Sequence, residues 1–238
     1  TLNDNRLERT VFGIKFKNPV GLAAGFDKNG KHIQNLSALG FGFIEIGTIT
    51  PKPQPGNPKK RLFRLIDDNG IINRLGINND GVYTCADNLK KSNSNIIIGG
   101  NIGKNTETKN ENAAKDYIEN FKILHDYVDY FVLNVSCPNV EKSVVNDGLY
   151  KFLNKKRQWC VIKLSPKTPT SLIDSYYDQG FRQFHCCNTV PISQGGLSGK
   201  SIQPYSLKMI YYIKNKYPNT EIIGGGGIQN SQDIINYK

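Results

Sequence analysis

Short apolar segments recur along the chain, and polar stretches with helical periodicity separate them. Segments rich in Val, Ile and Gly lie at 19–25, 41–48, 95–103, 129–136, 160–166, 181–189 and 221–228. They are continuously apolar rather than alternating, which is typical of strands that are covered on both faces. The stretches between them predict helices at 29–39, 106–126, 144–156, 171–179 and 203–217. The chain therefore predicts parallel strands connected by helical crossovers.

This alternation favours an α/β fold of the (β/α)8 TIM-barrel type over a doubly wound sheet. The reason is that polar residues cluster after each predicted strand, where barrel enzymes carry their chemistry. We expect a single domain over residues 1–238, since a β/α barrel can contain about 250 residues. The sequence ends at "IINYK", inside the predicted seventh helix. We therefore expect the eighth β/α unit to be absent from this chain.

Local signals add detail to the predicted elements. Thr106 precedes the longest predicted helix as an N-cap candidate, and Gly40 and Gly180 lie where helices are expected to end. The segment 50–65 has four prolines by residue 58, which argues against a helix. It is also too long for a simple turn, so we expect it to fold over the mouth of the barrel.

Composition narrows the range of partners and sites. The formal charge of +11, from 31 Lys and Arg against 20 Asp and Glu, favours a phosphate cofactor, an acidic metabolite, a lipid surface or nucleic acid. The five cysteines lack CxxC spacing, which indicates a reducing cytoplasmic compartment, and the three histidines predict no metal site. No apolar run approaches the about 18 residues of a membrane-spanning helix, so we expect a soluble chain.

Amide and lysine side chains follow the predicted strands and form the candidate site. Asn both donates and accepts hydrogen bonds, and Lys can meet a carboxylate or an electron-rich ring, so this set suits a planar anionic substrate. Glycine clusters at 195–200 and 224–227 follow the sixth and seventh strands, where barrels bind phosphate. Either cluster alone could be a turn, but the pair favours a phosphate site.

Cys137 and Lys163 are the residues whose chemistry the pattern makes most specific. A cysteine after an apolar strand is usually a buried small residue, but Cys137 lies between Asn134 and Asn139, which favours proton transfer. Lys163 lies inside an apolar strand, where an unpaired charge is costly, which favours a functional role. Other side chains are predicted to be structural. We expect Cys160, Cys186, Cys187 and His185 in the core and Cys85 on a helix face. A solvated basic face is predicted for Lys59, Lys60, Arg61 and Arg64.

The order of these motifs resembles the dihydroorotate dehydrogenases, flavin mononucleotide (FMN) barrel enzymes of pyrimidine biosynthesis. The resemblance rests on "NPVGLAAGFDKNG" (18–30), "GFGFIEIGTITPKPQPGNPKKRLFRL" (40–65), "INRLGINNDG" (72–81), "GNIGKN" (100–105), "DYFVLNVSCPN" (129–139), "VIKLSP" (161–166), "NT" (188–189), "GGLSGK" (195–200) and "IIGGGGI" (222–228). The proline-rich segment is similar to that of class 2, the quinone-reducing branch.

The resemblance implies a role for each matching residue. FMN would contact Ala23, Ala24, Gly25, Gly47, Thr48, Asn101, Asn134, Lys163, Ser198, Gly199, Gly226 and Gly227. Dihydroorotate would contact Lys28, Asn73, Asn134, Asn139, Asn188 and Thr189. Cys137 would take the C5 proton while a hydride leaves C6 for the flavin. The class 2 character implies quinone as the acceptor and peripheral contact with the inner membrane through an N-terminal arm that this chain lacks. The cysteine and the missing arm leave fumarate or another soluble acceptor open, and no nucleic acid partner is expected.

The chain departs from its branch at the base. Class 2 enzymes have serine in "NVSSPN", whereas class 1 enzymes have cysteine, as in "NVSCPN" here. A thiol, with an ordinary pKa of about 8.5, can serve without the proton relay that serine needs. The segment after Asn139, "VEKSVVNDG", is also shorter than the family's loop over the substrate, which bears on closure of the site.

Two other functions stay open at this point. tRNA dihydrouridine synthases are also flavin barrels with a cysteine proton donor, and the charge of +11 would suit RNA. Their cysteine motif differs, however, and they carry an RNA-binding domain that is not evident here. The second alternative is a truncated, non-catalytic flavin-barrel module, since an open barrel would expose sheet edges that need a cover.

Overall fold

The computed structural model of the protein describes residues 4–135, 147–154 and 160–238. The strands are β1 Arg9–Val11, β2 Ile14–Phe16, β3 Gly21–Leu22, β4 Phe43–Ile49, β5 Leu62–Leu65, β6 Gly70–Asn73, β7 Ile97–Ile102, β8 Tyr130–Leu133, β9 Cys160–Leu164, β10 Gln183–Cys186, β11 Val190–Ile192, β12 Gly195–Gly199 and β13 Glu221–Gly224. The helices are α1 Ile33–Ser37, α2 Val82–Lys90, α3 Ala113–Leu124, α4 Asp147–Asn154, α5 Thr170–Asp178, α6 Gln203–Lys216 and α7 Ser231–Asn236.

Contacts divide the chain into two compact units. Of the described residues, the first unit contains 4–55, 77–134, 147–154 and 160, and the second contains 56–76, 135 and 161–238. The single domain predicted over residues 1–238 stays a prediction. None of the helices among the described residues is long and apolar enough to cross a bilayer.

The first unit is built on four parallel strands in the order β3, β4, β7, β8. From the second residue of β4 and of β7 onward, and along the whole of β8, every side chain is buried, as the continuous apolar runs predict for strands covered on both faces. Helix α3 packs its apolar face on these strands, and Phe121 stacks on Phe131 with ring centroids 4.3 Å apart. Such a pair contributes about 0.5–1.5 kcal/mol beyond its buried area.

A short hairpin, in which β1 pairs antiparallel with β2, supplies aromatic side chains to the amino ends of these strands. Phe12 and Phe16 contact Tyr130, and Phe16 meets the ring of Phe43 edge-on at 5.3 Å. Tyr130 and Phe43 are the first residues of β8 and β4. The hairpin therefore packs against the amino ends of the strands and leaves their carboxyl ends to the polar residues.

The second unit combines a parallel and an antiparallel sheet. Strand β10 lies between β9 and β13, all parallel, and α5 and α6 follow β9 and β12 along the chain. The antiparallel sheet has the order β11, β12, β6, β5. Together the two units contain seven described parallel strands, one for each apolar segment that the sequence identified.

The structure also corrects several local predictions. The segment at 195–200, predicted as a phosphate loop, is largely strand β12, and the end of segment 50–65 is strand β5. Helix α3 begins at Ala113 after a 3-10 turn, with Asn112 rather than Thr106 as its N-cap. No bounds were predicted for helix α2, although Cys85 was predicted on a helix face. The antiparallel pairs β1–β2, β5–β6 and β11–β12 were not predicted.

Gly180 ends α5 as predicted. Its φ is +95°, its N–H donates to the Tyr177 carbonyl, and the N–H of Phe181 donates to the Tyr176 carbonyl at 3.1 Å. These two bonds form a Schellman motif, which satisfies the last carbonyls of the helix and favours glycine at the left-handed position.

Candidate functional site

Three polar side chains of the first unit form a hydrogen-bonded chain at the carboxyl ends of neighbouring strands. The Nδ2 of Asn134 donates to the Thr48 hydroxyl at 2.8 Å, and that hydroxyl donates to the Oδ1 of Asn101 at 2.6 Å. Asn101 is fully buried, and its Nδ2 has no hydrogen-bond partner among the described residues. A buried donor of this kind is costly unless a ligand atom accepts from it.

Helix α3 fixes the backbone beneath this chain of side chains. The Tyr117 hydroxyl donates to the carbonyl of Asn134 at 3.0 Å, and the Nδ2 of Asn120 donates to the carbonyl of Gly103 at 3.0 Å. The Asn134 N–H donates to the carbonyl of Ile102 at 3.0 Å. The ends of β7 and β8 are thus held by bonds that do not involve Thr48 or the Asn101 side chain.

Two of the predicted flavin-contacting residues of the same unit, Gly25 and Gly47, are joined through their backbones, and Ala23 and Ala24 directly precede Gly25. The Gly25 N–H donates to the Gly47 carbonyl at 2.9 Å. Gly47 has a φ of +102°, and a Cβ there would overlap the Asn101 carbonyl oxygen, so the position requires glycine. A Cβ at Gly25 would meet no atom within 4 Å. The space next to the Gly25 Cα is therefore open.

Lys28 lies on a loop that a buried carboxylate organises. Asp27 is only 2% exposed and accepts from the N–H groups of Lys31 at 3.0 Å and His32 at 2.8 Å. Two backbone donors on one carboxylate fix the turn that follows. The half-buried Lys28 is thereby held on a defined backbone.

An amide network that the sequence did not single out anchors the start of the proline-rich segment. Asn105 donates to the Thr50 hydroxyl at 3.1 Å and to the Gln54 side chain at 3.0 Å, and Asn79 donates to Thr50 at 2.8 Å. The available signal in the sequence was the position of Asn105 directly after "GNIGK" and of Asn79 at the end of "INN". The network is internally satisfied at these bonds, which indicates a supporting role.

In the second unit, Lys163 is 5% exposed within β9 and lies in register with His185. It also lies near Cys187, a residue that is 5% exposed. Burial raises the pKa of Cys187 to about 11, while a hydrogen bond with Ser206 and the charge of Lys163 act in the opposite direction. Cys160, Cys186 and Cys187 are buried free thiols, as predicted. Cys85, predicted on a helix face, is a buried free thiol of α2.

The two glycine clusters of the second unit pack directly against each other. Gly227 has a φ of +71°, and a Cβ there would lie 2.9 Å from the carbonyl oxygen of Gly199. The buried carboxylate of Asp233 stabilises this contact by accepting from Lys200 and from the N–H of Gln229. The Lys200 hydrogen bond, followed by the Gln229 N–H, lowers the pKa of Asp233 to about 2.

Predicted substrate residues of the second unit gather around Gly196. Asn73 lies opposite Gly196 in the sheet, and its Nδ2 donates to the Gly196 carbonyl at 3.4 Å. A Cβ on Gly196 would overlap the Thr189 hydroxyl oxygen. The Asn188 side chain accepts from the Thr189 N–H at 2.9 Å. Ser198, in contrast, donates its hydroxyl to the Ile71 carbonyl at 3.1 Å.

Cys137 and Asn139 lie outside the described residues, so their roles stay predictions. Within the described ranges no group of three or more His, Cys, Asp or Glu side chains could hold a metal ion.

Comparison with known proteins identifies the family. A dihydroorotate dehydrogenase family model matches residues 6–167 and 181–238. The dihydroorotate dehydrogenase (quinone) of Christiangramia forsetii is 45% identical over 261 residues, covering 98% of this chain and 76% of the relative. That of Sulfurovum sp. is 40% identical over 253 residues, covering 98% and 72%.

Comparison with solved structures points to the same family. The crystal structure of the Eimeria tenella enzyme in complex with ferulenol superposes with a TM-score of 0.85 at 31% identity, covering 98% of this chain and 76% of that one. This similarity confirms the predicted α/β barrel class, of which the described residues contain seven parallel strands. The chain belongs to the dihydroorotate dehydrogenase family.

Proposed function

We propose that this chain oxidises dihydroorotate to orotate in pyrimidine biosynthesis, with FMN as its flavin and a quinone as electron acceptor. The observation that carries the reaction is the family match over residues 6–167 and 181–238. That match includes every residue predicted for the site, so the assignment does not depend on one motif. It also favours dihydroorotate over the dihydrouridine substrate of the RNA-modifying alternative.

The first unit offers groups that suit the ring of FMN. The buried Nδ2 of Asn101, without a partner among the described residues, could donate to a ring carbonyl or ring nitrogen. The space next to the Gly25 Cα is open, which would suit a planar ring. When bound, FMN supplies the electron sink that accepts the hydride from C6 of dihydroorotate. We assign contact with the flavin, within the first unit, to Ala23, Ala24, Gly25, Gly47, Thr48, Asn101 and Asn134.

The second unit offers groups that suit the phosphate. Backbone N–H groups of glycines can approach an anion closely because no side chain intervenes. We therefore assign the phosphate to Ser198, Gly199, Gly226 and Gly227, whose segments pack against each other. The buried ammonium of Lys163 is assigned to the flavin ring, where it would balance negative charge.

For dihydroorotate, the family resemblance supplies the assignments. The Lys28 ammonium would pair with the substrate carboxylate, and Asn73, Asn134, Asn139, Asn188 and Thr189 would hydrogen-bond the pyrimidine and stabilise charge on its carbonyls. The Sγ of Cys137 would take the proton from C5. A cysteine thiol ionises closer to neutrality than a serine hydroxyl, so it can act as the base without the proton relay that serine needs.

Quinone is proposed as the acceptor because relatives that are 40–45% identical to this chain over the aligned residues bear the name dihydroorotate dehydrogenase (quinone). We further propose that the protein is cytoplasmic and contacts the inner membrane peripherally, where a quinone is accessible. Nucleic acid is not proposed as a partner.

Anaerobic reduction tests this function. Purified, flavin-loaded protein should lose its absorption near 450 nm, the usual flavin band, when dihydroorotate is added. A soluble quinone, but not fumarate, should then restore the colour. Failure of dihydroorotate to bleach the flavin would contradict the reaction, and restoration by fumarate alone would contradict the acceptor. A colourless protein that takes up no FMN would favour the non-catalytic alternative.

A further inference from the structure

We infer that the Thr48 hydroxyl is a hydrogen-bond relay that sets the amides of Asn101 and Asn134 to opposite polarity, so that Asn101 presents an NH2 donor to the flavin. Thr48 is thus a positioning residue through its side chain. The inference rests on the proposed flavin function. It adds a reason why the donor faces the ligand.

The relay follows from counting protons. A hydroxyl has one proton to donate, and the oxygen of Thr48 lies 2.6 Å from the amide of Asn101 and 2.8 Å from that of Asn134. If both amides presented NH2 groups to Thr48, its proton would have no acceptor among them. If both presented oxygens, the single proton could serve only one. One amide must therefore accept while the other donates.

The observed direction leaves Asn101 as the donor toward the ligand. Its Oδ1 accepts from Thr48, which turns its Nδ2 to a buried position that has no hydrogen-bond partner among the described residues. Asn134 uses its own Nδ2 on Thr48. Turning either amide would require turning the other, so the relay resists reorientation of both.

The backbone around the relay is held independently of Thr48. Tyr117 and Asn120 of α3 bind the carbonyls of Asn134 and Gly103, and Asn134 also donates its N–H to Ile102. Thr48 itself is only 8% exposed. Removal of its hydroxyl should therefore release the two amides without displacing the strands that carry them.

A fixed donor has a specific effect on a bound flavin. An acceptor atom on the pyrimidine part of the ring gains negative charge when the flavin is reduced, so a donor in place stabilises the reduced form more than the oxidised form. If the Asn101 amide loses its fixed orientation, the midpoint potential of the bound flavin should therefore fall, and so should the affinity for FMN. A merely structural role of Thr48 would alter stability but would not shift the potential.

Thr48→Val and Thr48→Ser test the relay. Valine keeps the shape and removes the hydroxyl, whereas serine keeps the hydroxyl. We expect Thr48→Val to weaken FMN binding by about tenfold, as for one lost hydrogen bond, and to make the midpoint potential more negative. Thr48→Ser should remain near the parent protein in both FMN affinity and midpoint potential. FMN affinity is measured by fluorescence during reloading of the apoprotein, and the potential by anaerobic titration with a reference dye.

The outcomes separate this inference from the function on which it rests. If the parent binds FMN and Thr48→Val has the same affinity and potential, or if Thr48→Ser is as impaired as Thr48→Val, the relay is wrong while the flavin function stands. If the parent takes up no FMN, both the cofactor proposal and the relay are overturned. Neither measurement uses dihydroorotate, so failure of the substrate assignment does not affect the result.

Discussion

The carboxylate of Asp233 and the ammonium of Lys200 form an ion pair that ties the two glycine clusters of the second unit together. Lys200 directly follows Gly199, while Asp233 also accepts from the N–H groups of Gln229 and Asn230, just after Gly227. Gln203 donates to the same carboxylate at 3.1 Å. Asp233 is 2% exposed, whereas the Lys200 side chain is 44% exposed. The buried carboxylate is therefore the group that holds the two segments together.

Asp233→Asn should weaken this connection. We expect the melting temperature to fall by about 2–4 °C, as for one lost polar interaction in a domain of this size, and FMN affinity to fall with it. Asp178→Asn, on an exposed position of α5, is the matched control and should change neither. Calorimetry and FMN reloading measure the two effects. An unaltered affinity in Asp233→Asn would show that the ion pair does not support the phosphate site.

The same residue predicts a pH dependence of stability. The pKa of Asp233 is lowered from 3.8 to about 2 in the folded protein, so its stabilising contribution is complete above the ordinary value and is lost as the pH falls toward 2. The difference in unfolding free energy between the parent and Asp233→Asn should therefore shrink between about pH 4 and pH 2. Urea titrations across this range measure it, and a difference that grows on acidification would contradict the assignment.

Cys137 can be tested although it lies outside the described residues. Cys137→Ala should keep its flavin but lose most of its reduction by dihydroorotate, because the C5 proton has no acceptor. Cys137→Ser should keep part of the rate, with its pH dependence moved upward, since a hydroxyl ionises at higher pH than a thiol. Stopped-flow reduction of bound flavin is the measurement. A fully active alanine variant would show that Cys137 is not the base.

Asp27→Asn should act on the substrate through Lys28. The loss of charge weakens the bonds from the N–H groups of Lys31 and His32, and the loop that carries Lys28 becomes less fixed. We expect KM for dihydroorotate to rise by about tenfold while FMN affinity stays close to that of the parent. Asp87→Asn, on the exposed side of α2, is the control. Equal loss of FMN and substrate binding would indicate a general defect of folding instead.

Tyr117→Phe should destabilise the first unit. The change removes the hydroxyl that donates to the Asn134 carbonyl at 3.0 Å, and Tyr117 is fully buried. A lost buried hydrogen bond costs about 1–2 kcal/mol of unfolding free energy. Tyr83→Phe removes a hydroxyl from a ring that is 65% exposed and should cost much less. Urea unfolding of both variants gives the comparison, and equal stabilities would contradict the prediction.

Much of the architecture was predictable because burial on both faces leaves a direct mark on the sequence. The runs that became β4, β7, β8 and β9 are continuously apolar, and these strands are almost entirely buried. Gly180 was predictable for a similarly local reason, since few residues besides glycine adopt the left-handed conformation that ends α5. The polar residues after the strands could be identified by position alone.

The start of α3, in contrast, was decided by tertiary contacts. The sequence predicts a helix from residue 106, but the Thr106 N–H donates to Gln54 and the Asn105 N–H donates to Asp116. The Lys104 ammonium also donates to the Thr108 carbonyl. These bonds satisfy backbone groups in a non-helical conformation, and the helix begins only at Ala113.

The sequence by itself determined the α/β class, the order of the strands along the chain and the residue types at their carboxyl ends, because each depends on local pattern. Tertiary structure decided that Gly195–Gly199 is a central strand, since it pairs with the nearby Val190–Ile192 on one side and with Gly70–Asn73, more than a hundred positions earlier, on the other. It also decided which amide atom of Asn101 stays without a protein partner, because that depends on the direction of a hydrogen-bond chain through Thr48 and Asn134. Pairing across such distances and the orientation of an amide depend on atoms brought together by folding, which no local pattern records.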